Sequence, residues 1–238
     1  MSEHFRHHLF LRIGAPFAVF RPLVAGWYRP TAAFVTHSAV YGLLLNVAGV
    51  ESRLWEHEDD HDGAAPASLM RCGLPNVRLA LGLPAGGKPP RVETMYQQLH
   101  NYPVGASGMP PGLCRGTKNN ITPVRREILC DLSAVVAVEC DADLGDRLRR
   151  GLRGESTGRL YGLPFLGDNS FLLDHLDEVQ PQPSVWYKRV DPAERPRPGT
   201  TRLTQRVDRK TVSGTTSALF APMTESVIEP PDDAWVEL

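Results

Sequence analysis

The sequence predicts an α+β fold in which short strands and two helices follow one another in the order βαββαβ, with one long excursion before the third strand. Three observations lead there. Apolar residues alternate with period two in several short runs, and recur at helical spacing in only two. Glycine and proline, 21 of each in 238 residues, punctuate the chain too often for a helical bundle. Residues 84–124 are crowded with both and show no apolar period, which sets them apart from the segments on either side.

The first strand is His8–Ala15, where Leu9, Leu11 and Ile13 share a face. A loop over Pro16–Val35 carries Arg21, Trp27, Tyr28 and Arg29. The first helix follows: Thr36 or Ser38 can cap it, Ala39, Val40, Leu43, Leu44, Val47 and Ala48 form its buried stripe, and Gly49 sits where it should stop. A second strand is expected at Val77–Leu83. Residues 84–124 then leave the core as an irregular hairpin holding Tyr96, Gln97, Gln98, His100, Asn101, Tyr102, Lys118, Asn119 and Asn120. Arg125–Val138 reads as a long strand. Asp141–Leu152 is the second helix, with Leu144, Leu148 and Leu152 on one face and Arg147, Arg149, Arg150 and the following Arg153 on the rest. A closing strand is expected within Leu160–Leu173, and further strands at Ser184–Val190 and Thr201–Val207. The order is that of an RRM-like or ferredoxin-like (βαββαβ) core. The chain therefore reads as one domain over 1–238, with a thumb-like insertion at 84–124 and with extra C-terminal strands and an acidic tail at 184–238.

Composition bounds the function. Hydrophobic residues at 42% and charged residues at 22% suit a folded soluble domain. A formal net charge of -1 excludes a uniformly basic surface, so any nucleic-acid role must rest on a local patch. The charge is uneven. Residues 51–62 and 223–238 are acidic, whereas 112–130, 145–159 and 188–210 are basic. Each segment alone also fits a solvated loop or helix face. Only four of the 26 basic residues are lysines (Lys88, Lys118, Lys188 and Lys210); the arginines that remain suit planar, bidentate contacts to phosphate. Cys72, Cys114, Cys130 and Cys140 show no CxxC spacing and read as reduced thiols of a cytoplasmic protein. The opening MSEHFRHHLF does not read as a signal peptide, and no apolar run is long enough to span a membrane.

Chemical motifs are sparse. His57-Glu58-Asp59-Asp60-His61 matches HExxH, which on a helix would place two zinc-binding histidines beside a general base. Here it lies in an acidic run without an obvious third ligand, and a solvated loop is the better reading; a metalloprotease is the remote alternative. No GxSxG, Walker or dinucleotide motif occurs, and Gly86-Gly87-Lys88 is too short for a phosphate loop. His100, the tyrosines and Lys118 are residue types that can cleave RNA without metal, although no spacing rule ties them together.

Four stretches carry a family resemblance. Residues 14–49, GAPFAVFRPLVAGWYRPTAAFVTHSAVYGLLLNVAG, resemble the start of the Cas five family of CRISPR Cascade subunits through Phe20-Arg21, Arg29-Pro30, Thr36–Ser38 and Gly42-Leu43-Leu44. GTKNNITPVRREIL (116–129), YGLPFLGDNSF (161–171) and SGTTSALFAP (213–222) are similar to the DevS-like branch found in type I-B systems. The resemblance implies an RRM-like core with a thumb before the third core strand. It implies a subunit of a ribonucleoprotein complex for RNA-guided DNA targeting in antiviral defence, in the bacterial cytoplasm. Such a subunit grips the 5′ handle of the CRISPR RNA (crRNA) and caps a backbone of Cas seven subunits. It sits beside a Cas eight-type large subunit that reads the PAM, so that target DNA is approached only indirectly. In one subtype the family member cuts the precursor RNA itself; in this branch a separate Cas six nuclease does so. The expectation is therefore a non-catalytic subunit without metal or cofactor, with a precursor-cleaving endoribonuclease of the same fold as the alternative.

Single-stranded RNA is commonly bound by stacking bases on aromatic rings and arginine planes of such a sheet. Tyr28, Tyr96 and Tyr102 can stack, and Arg21, Arg29, Lys118, Arg125 and Arg126 can hold phosphates. Asn119 and Asn120 can read base edges or 2′-hydroxyls, and Ser38, Gln98 and His100 complete the candidate RNA-binding set. Structural roles compete with these: Trp27 and Tyr28 could pack under their loop, and Arg125 or Arg126 could pair with Glu127 or Glu93.

Overall fold

The computed structural model describes residues 7–22, 27–53, 70–103, 119–155, 163–209 and 212–238, with backbone alone for 98–103, 119–123 and 212. In chain order its elements are β1 (His7–Ala18), β2 (Tyr28–Arg29), α1 (His37–Val47), β3 (Val77–Pro84), β4 (Arg91–Pro103), β5 (Asn119–Cys140), α2 (Ala142–Leu152), β6 (His175–Val179), β7 (Ser184–Arg189), β8 (Thr201–Arg206), β9 (Thr216–Pro222) and β10 (Val236–Glu237). The fold is α+β, with a mostly antiparallel sheet and few helices. The strands run in the order β6-β1-β5-β3-β7-β9-β8, with β10 added to β3 and with β2 and β4 added to β5. Cys140 at the end of β5 pairs with His7 on one side and Val77 on the other, so β5 is central.

The helices form where local chemistry favours them. Thr36 has an extended backbone and its hydroxyl accepts from the Ala39 amide, capping α1, while Gly49 at φ +64° lets the chain turn away. Arg147 of α2 donates to the carbonyls of Ala48 and Gly49, both at 3.0 Å, so a cation closes the carbonyl end of α1. Asp141 caps α2 by accepting from the Leu144 amide at 2.8 Å. Both helices lie on one face of the sheet, where Leu43, Leu44, Leu144 and Leu148 meet Leu9, Leu11, Leu79, Val136 and Val138. Among the described residues, the basic stretch around α2 is largely spent inside the protein: Arg149 reaches Glu178 at 3.1 Å and Arg153 reaches Glu155 at 2.9 Å.

The other face of the sheet is covered too. Phe10, Ala80, Val135 and Ala137 lie under Trp186 and Ala234. Trp186 is fully buried and its indole nitrogen donates to the Val227 carbonyl at 3.0 Å. Gly82 makes room for it, since a Cβ there would lie 2.7 Å from the indole ring. An RRM-like sheet that stacks bases needs this face open; here Trp186 and the C-terminal segment occupy it, so stacking on the sheet itself is blocked. The acidic tail is part of this cover. Val236 pairs with Leu79, and Lys188 holds Asp233 at 2.7 Å.

Several boundaries differ from the expectation. The described part of Leu160–Leu173 is a loop with one isolated bridge, Phe165 to Leu172, and the strand that pairs with β1 is β6 further on. Gly162 and Gly167 interrupt the apolar pattern there, and Gly167 takes φ +76°, which a strand does not accommodate. The strand expected from Arg125 begins at Asn119, and its partner β4 lies wholly within the stretch set apart as an excursion. The C-terminal β9 and β10 carry no clean alternation, and their pairing partners are distant in sequence.

Candidate nucleic-acid interface

β5 is long enough to belong to two structures. Its second half lies between β1 and β3, flanked by both from Val135 to Cys140; its first half pairs with β4 from Arg91↔Cys130 to Pro103↔Asn119, forming a hairpin arm. Asp131 marks the junction. It takes φ +60°, a left-handed conformation that aspartate tolerates better than most residues, and its carboxylate receives Arg91 at 2.9 Å. At this base β2 joins the opposite edge of β5, pairing Tyr28 with Arg125 and Arg29 with Arg126.

Residues directly across strands share a face, so Tyr28, Arg125 and Tyr96 form a row. The Arg125 guanidinium lies 5.9 Å from the Tyr28 ring centre and 5.7 Å from that of Tyr96, within cation–π range of both. Tyr96 is 74% exposed and Tyr28 39%. Trp27, beside them, is 62% exposed and does not pack under its loop; its carbonyl accepts the Arg125 amide at 2.9 Å. Glu127 follows on the same face but is engaged. It accepts from the Tyr28 hydroxyl and from the Thr31 amide at 3.0 Å. The hydrogen bond to Glu127, with the carboxylate's charge behind it, raises the Tyr28 pKa, keeping the phenol neutral. Arg125 is left without an ion-pair partner among the described residues, and its Nε makes no hydrogen bond.

The opposite face of the same two residues is closed. Arg126 is only 6% exposed and donates to Asp168 and, at 3.3 Å, to Gln97. It lies 5.5 Å from the Phe171 ring centre. Arg21 reaches the same Asp168 oxygen at 2.9 Å, and the Ser170 amide donates to the other oxygen at 2.9 Å. Partial burial raises the Asp168 pKa, but the bonds from Ser170 and the charge of Arg126 outweigh it and hold the carboxyl below its ordinary range. Gly167 brings this loop in: a Cβ there would sit 1.8 Å from the Val19 carbonyl oxygen, so only glycine permits the approach.

The candidate residues thus separate. Tyr28, Tyr96 and Arg125 converge on the open row. Arg126 and Arg21 converge on Asp168 instead of on Glu127 or Glu93; Glu93 is bound by Arg91 at 3.3 Å. Arg29 is half-buried and in register with Arg126, on the closed side. Ser38 sits in the first turn of α1, 3.4 Å from the Thr36 hydroxyl, and no contact among the described residues joins it to the row. The backbones of Gln98 and His100 lie on β4 opposite Pro123 and Ile121, and those of Asn119 and Asn120 lie on β5 opposite Pro103 and Tyr102; their side chains fall outside the described residues. Lys118 falls outside them altogether, as do His57 and His61. Among the described residues no group of three or more His, Cys, Asp or Glu side chains could hold a metal, and no helix is long and apolar enough to cross a membrane.

Sequence reasoning missed Asp168 and Phe171 as partners of Arg126, and Gly167 as the residue that lets their loop approach. All three stand in the motif GDNSF (167–171). Cys130 and Cys140 are buried free thiols, and burial pushes the Cys140 pKa up to about 12, so it is an inert packing residue.

No protein-family model matches the chain, and no curated protein matches it in sequence. Among solved structures the chain is similar to one from a "CRISPR RNA-guided surveillance complex", with a TM-score of 0.56, 12% identity and 96% of each chain covered. A structure titled "Crystal structure of Cas protein" aligns over 93% of this chain and 95% of that one, with 16% identity and a TM-score of 0.44. At 12% identity the first likeness establishes a shared fold across nearly the whole chain.

Proposed function

We propose that the chain is a non-catalytic subunit of a type I Cascade, in the DevS-like, type I-B branch of the Cas five family, and that it binds the 5′ handle of the crRNA. In this reading it caps the Cas seven backbone beside the Cas eight-type large subunit, in the bacterial cytoplasm. The full-length fold likeness to a chain of an RNA-guided surveillance complex supports the assembly, and the strand order β6-β1-β5-β3 supports an RRM-like core, since a βαββαβ chain places its fourth, first, third and second strands in that sequence. The β4–β5 arm takes the place of the thumb.

The observation that carries the RNA reading is the Tyr28–Arg125–Tyr96 row: an arginine without an ion-pair partner among the described residues, flanked by two exposed rings. Exposed rings offer a sequence-tolerant surface for splayed bases, and an unpaired guanidinium supplies a phosphate contact or a further stacking plane. With the sheet face blocked by Trp186, the base of the arm is where the described structure offers this chemistry.

The test is a salt titration of handle RNA binding to the subunit reconstituted with its backbone neighbour. Arg125→Ala should weaken binding for every handle sequence and reduce the slope of log affinity against log salt by about 0.7, the value for one phosphate contact on a single strand. Unchanged affinity and slope would remove Arg125 from the RNA path. Incubation of the wild-type chain with precursor RNA should leave the RNA intact; specific cleavage would favour the endoribonuclease alternative.

A further inference from the structure

We propose that the RNA path continues beyond the tyrosine row to a second phosphate-binding group, Arg189 at the end of β7 and Arg195 in the turn after it; this rests on the RNA reading above. Hydrogen bonds and strand pairings connect the two groups. Glu127, next on the face of Arg125, accepts the Thr31 amide at 3.0 Å. Two residues on, the Ala33 amide donates to the Thr201 hydroxyl at 3.2 Å. Thr201 of β8 lies directly opposite Phe220 of β9, and Phe220 lies directly opposite Arg189 of β7. Arg189, Phe220 and Thr201 are therefore one cross-strand row on the face that residues 31–36 cover, where Phe34 stacks on Tyr187 at 4.3 Å. The side chains of Leu129 and Phe220 belong to the same buried cluster, so the Arg125 row and the Arg189 row lie on the same side of the sheet.

Two residues of extended chain, two strand spacings and two side-chain hydrogen bonds link Glu127 to Arg189, a path of about 25 Å at most, which an extended strand of several nucleotides covers. Both arginines are exposed, and neither has a hydrogen bond or ion pair among the described residues. The carboxylates of the same turn are engaged locally: Asp191 accepts the Ala193 amide at 2.8 Å, and Glu194 lies 4.0 Å from Arg197. The turn before Arg195 is closed by the Glu194 amide on the Asp191 carbonyl at 2.9 Å, and the turn after it by the Arg197 amide on the Thr200 hydroxyl and the Thr200 amide on the Arg197 carbonyl, both at 3.0 Å, so Arg195 lies between two hydrogen-bonded turns. Two exposed cations with no ion pair among the described residues, on a loop whose acids are engaged by an amide and by Arg197, favour a polyanion, and the row's position selects the RNA already bound at Arg125.

The experiment measures binding of the full chain to two single-stranded RNAs that share a sequence, one of about four nucleotides and one of about twelve, across a salt series. The double variant R189A/R195A should bind the short RNA as wild type does. It should lose affinity for the long RNA, with the salt slope reduced by about 0.7 for each contact removed. R189K/R195K should restore the slope, because charge alone suffices for a phosphate. Equal loss on both RNAs, or no loss on the long one while Arg125→Ala still weakens both, would overturn the second group and leave the tyrosine row standing. Failure of the wild-type chain to bind either RNA would overturn both.

Discussion

The two halves of β5 differ in what covers them. From Leu132 to Cys140 the strand is enclosed, with α1 and α2 over one face and Trp186 and the C-terminal segment over the other. From Val124 to Glu127 only one face is closed, by Asp168 and Phe171; the other presents Arg125 between two tyrosines. The contrast teaches that burial on both faces turns a sheet into scaffold, and that a binding surface is left where the strand outruns its cover. Adjacent residues show it most sharply. Arg125 and Arg126 have the same chemistry, yet pleating sends one to an exposed aromatic row and the other into an ion pair.

The largest way to break the enclosed half is Trp186→Ala, which empties the cover and should cost about 3–5 kcal/mol in chemical denaturation. A loss under about 1 kcal/mol would mean that the C-terminal segment does not hold the sheet face. Next comes Arg126→Ala, which leaves the exposed Arg21 as the one cation on Asp168 among the described residues and removes the contacts to Gln97 and Phe171. Breaking so buried a pair should cost about 3 kcal/mol, and Arg126→Lys should recover only part of it because an ammonium lacks the planar fork whose two nitrogens reach Gln97 and Asp168 separately.

A pH series sharpens the comparison further. His37 is fully buried against Phe220, and neither ring nitrogen has a hydrogen-bond partner among the described residues. Burial pulls its pKa down from 6.5 to about 3. The unfolded chain therefore takes the proton first, so stability is flat above pH 6.5 and falls as pH drops toward 3. The slope is about 1.4 kcal/mol per pH unit, or about 2 kcal/mol lost by pH 5. Asp168, whose pKa is depressed below the carboxylate range, adds to the loss only at lower pH. His37→Leu should flatten the window between pH 6.5 and 5; an unchanged melting profile there would place the acid sensitivity elsewhere. The smallest effect on folding is expected at the open face. Tyr96→Ala should leave denaturation within about 0.5 kcal/mol of wild type while weakening RNA binding by about 1–3 kcal/mol. A large loss of stability would make Tyr96 a packing residue instead.

Much of the fold is legible because it is local. Leu9, Leu11 and Ile13 alternate, Thr36 caps and Gly49 stops α1, and Asp141 caps α2, each within a few residues of chain. Within the expected hairpin the bounds of β4 were not legible, because this strand has no buried face to impose alternation: Arg91 to Tyr96 are all exposed. β10 was hidden inside an acidic tail whose charge suggested solvent, although Asp233 finds Lys188 and Val236 finds Leu79. Of the candidate site, Tyr28, Tyr96 and Arg125 could be named from residue type alone. Their separation from Arg126, Arg21 and Arg29 could not.

By itself the sequence determined the helices with their caps, the first strands, and the excursion that houses the arm, because periodicity and capping act over one or two turns of chain. Only the tertiary structure decided which cations remain free. Asp168 selects Arg126 across 42 residues of sequence and Arg21 across 147, and Trp186 closes the sheet face through Val227, 41 residues away. Those choices depend on which surfaces the packed sheet brings together, and a half-buried carboxylate held by two guanidinium groups leaves no trace in the local pattern that precedes it.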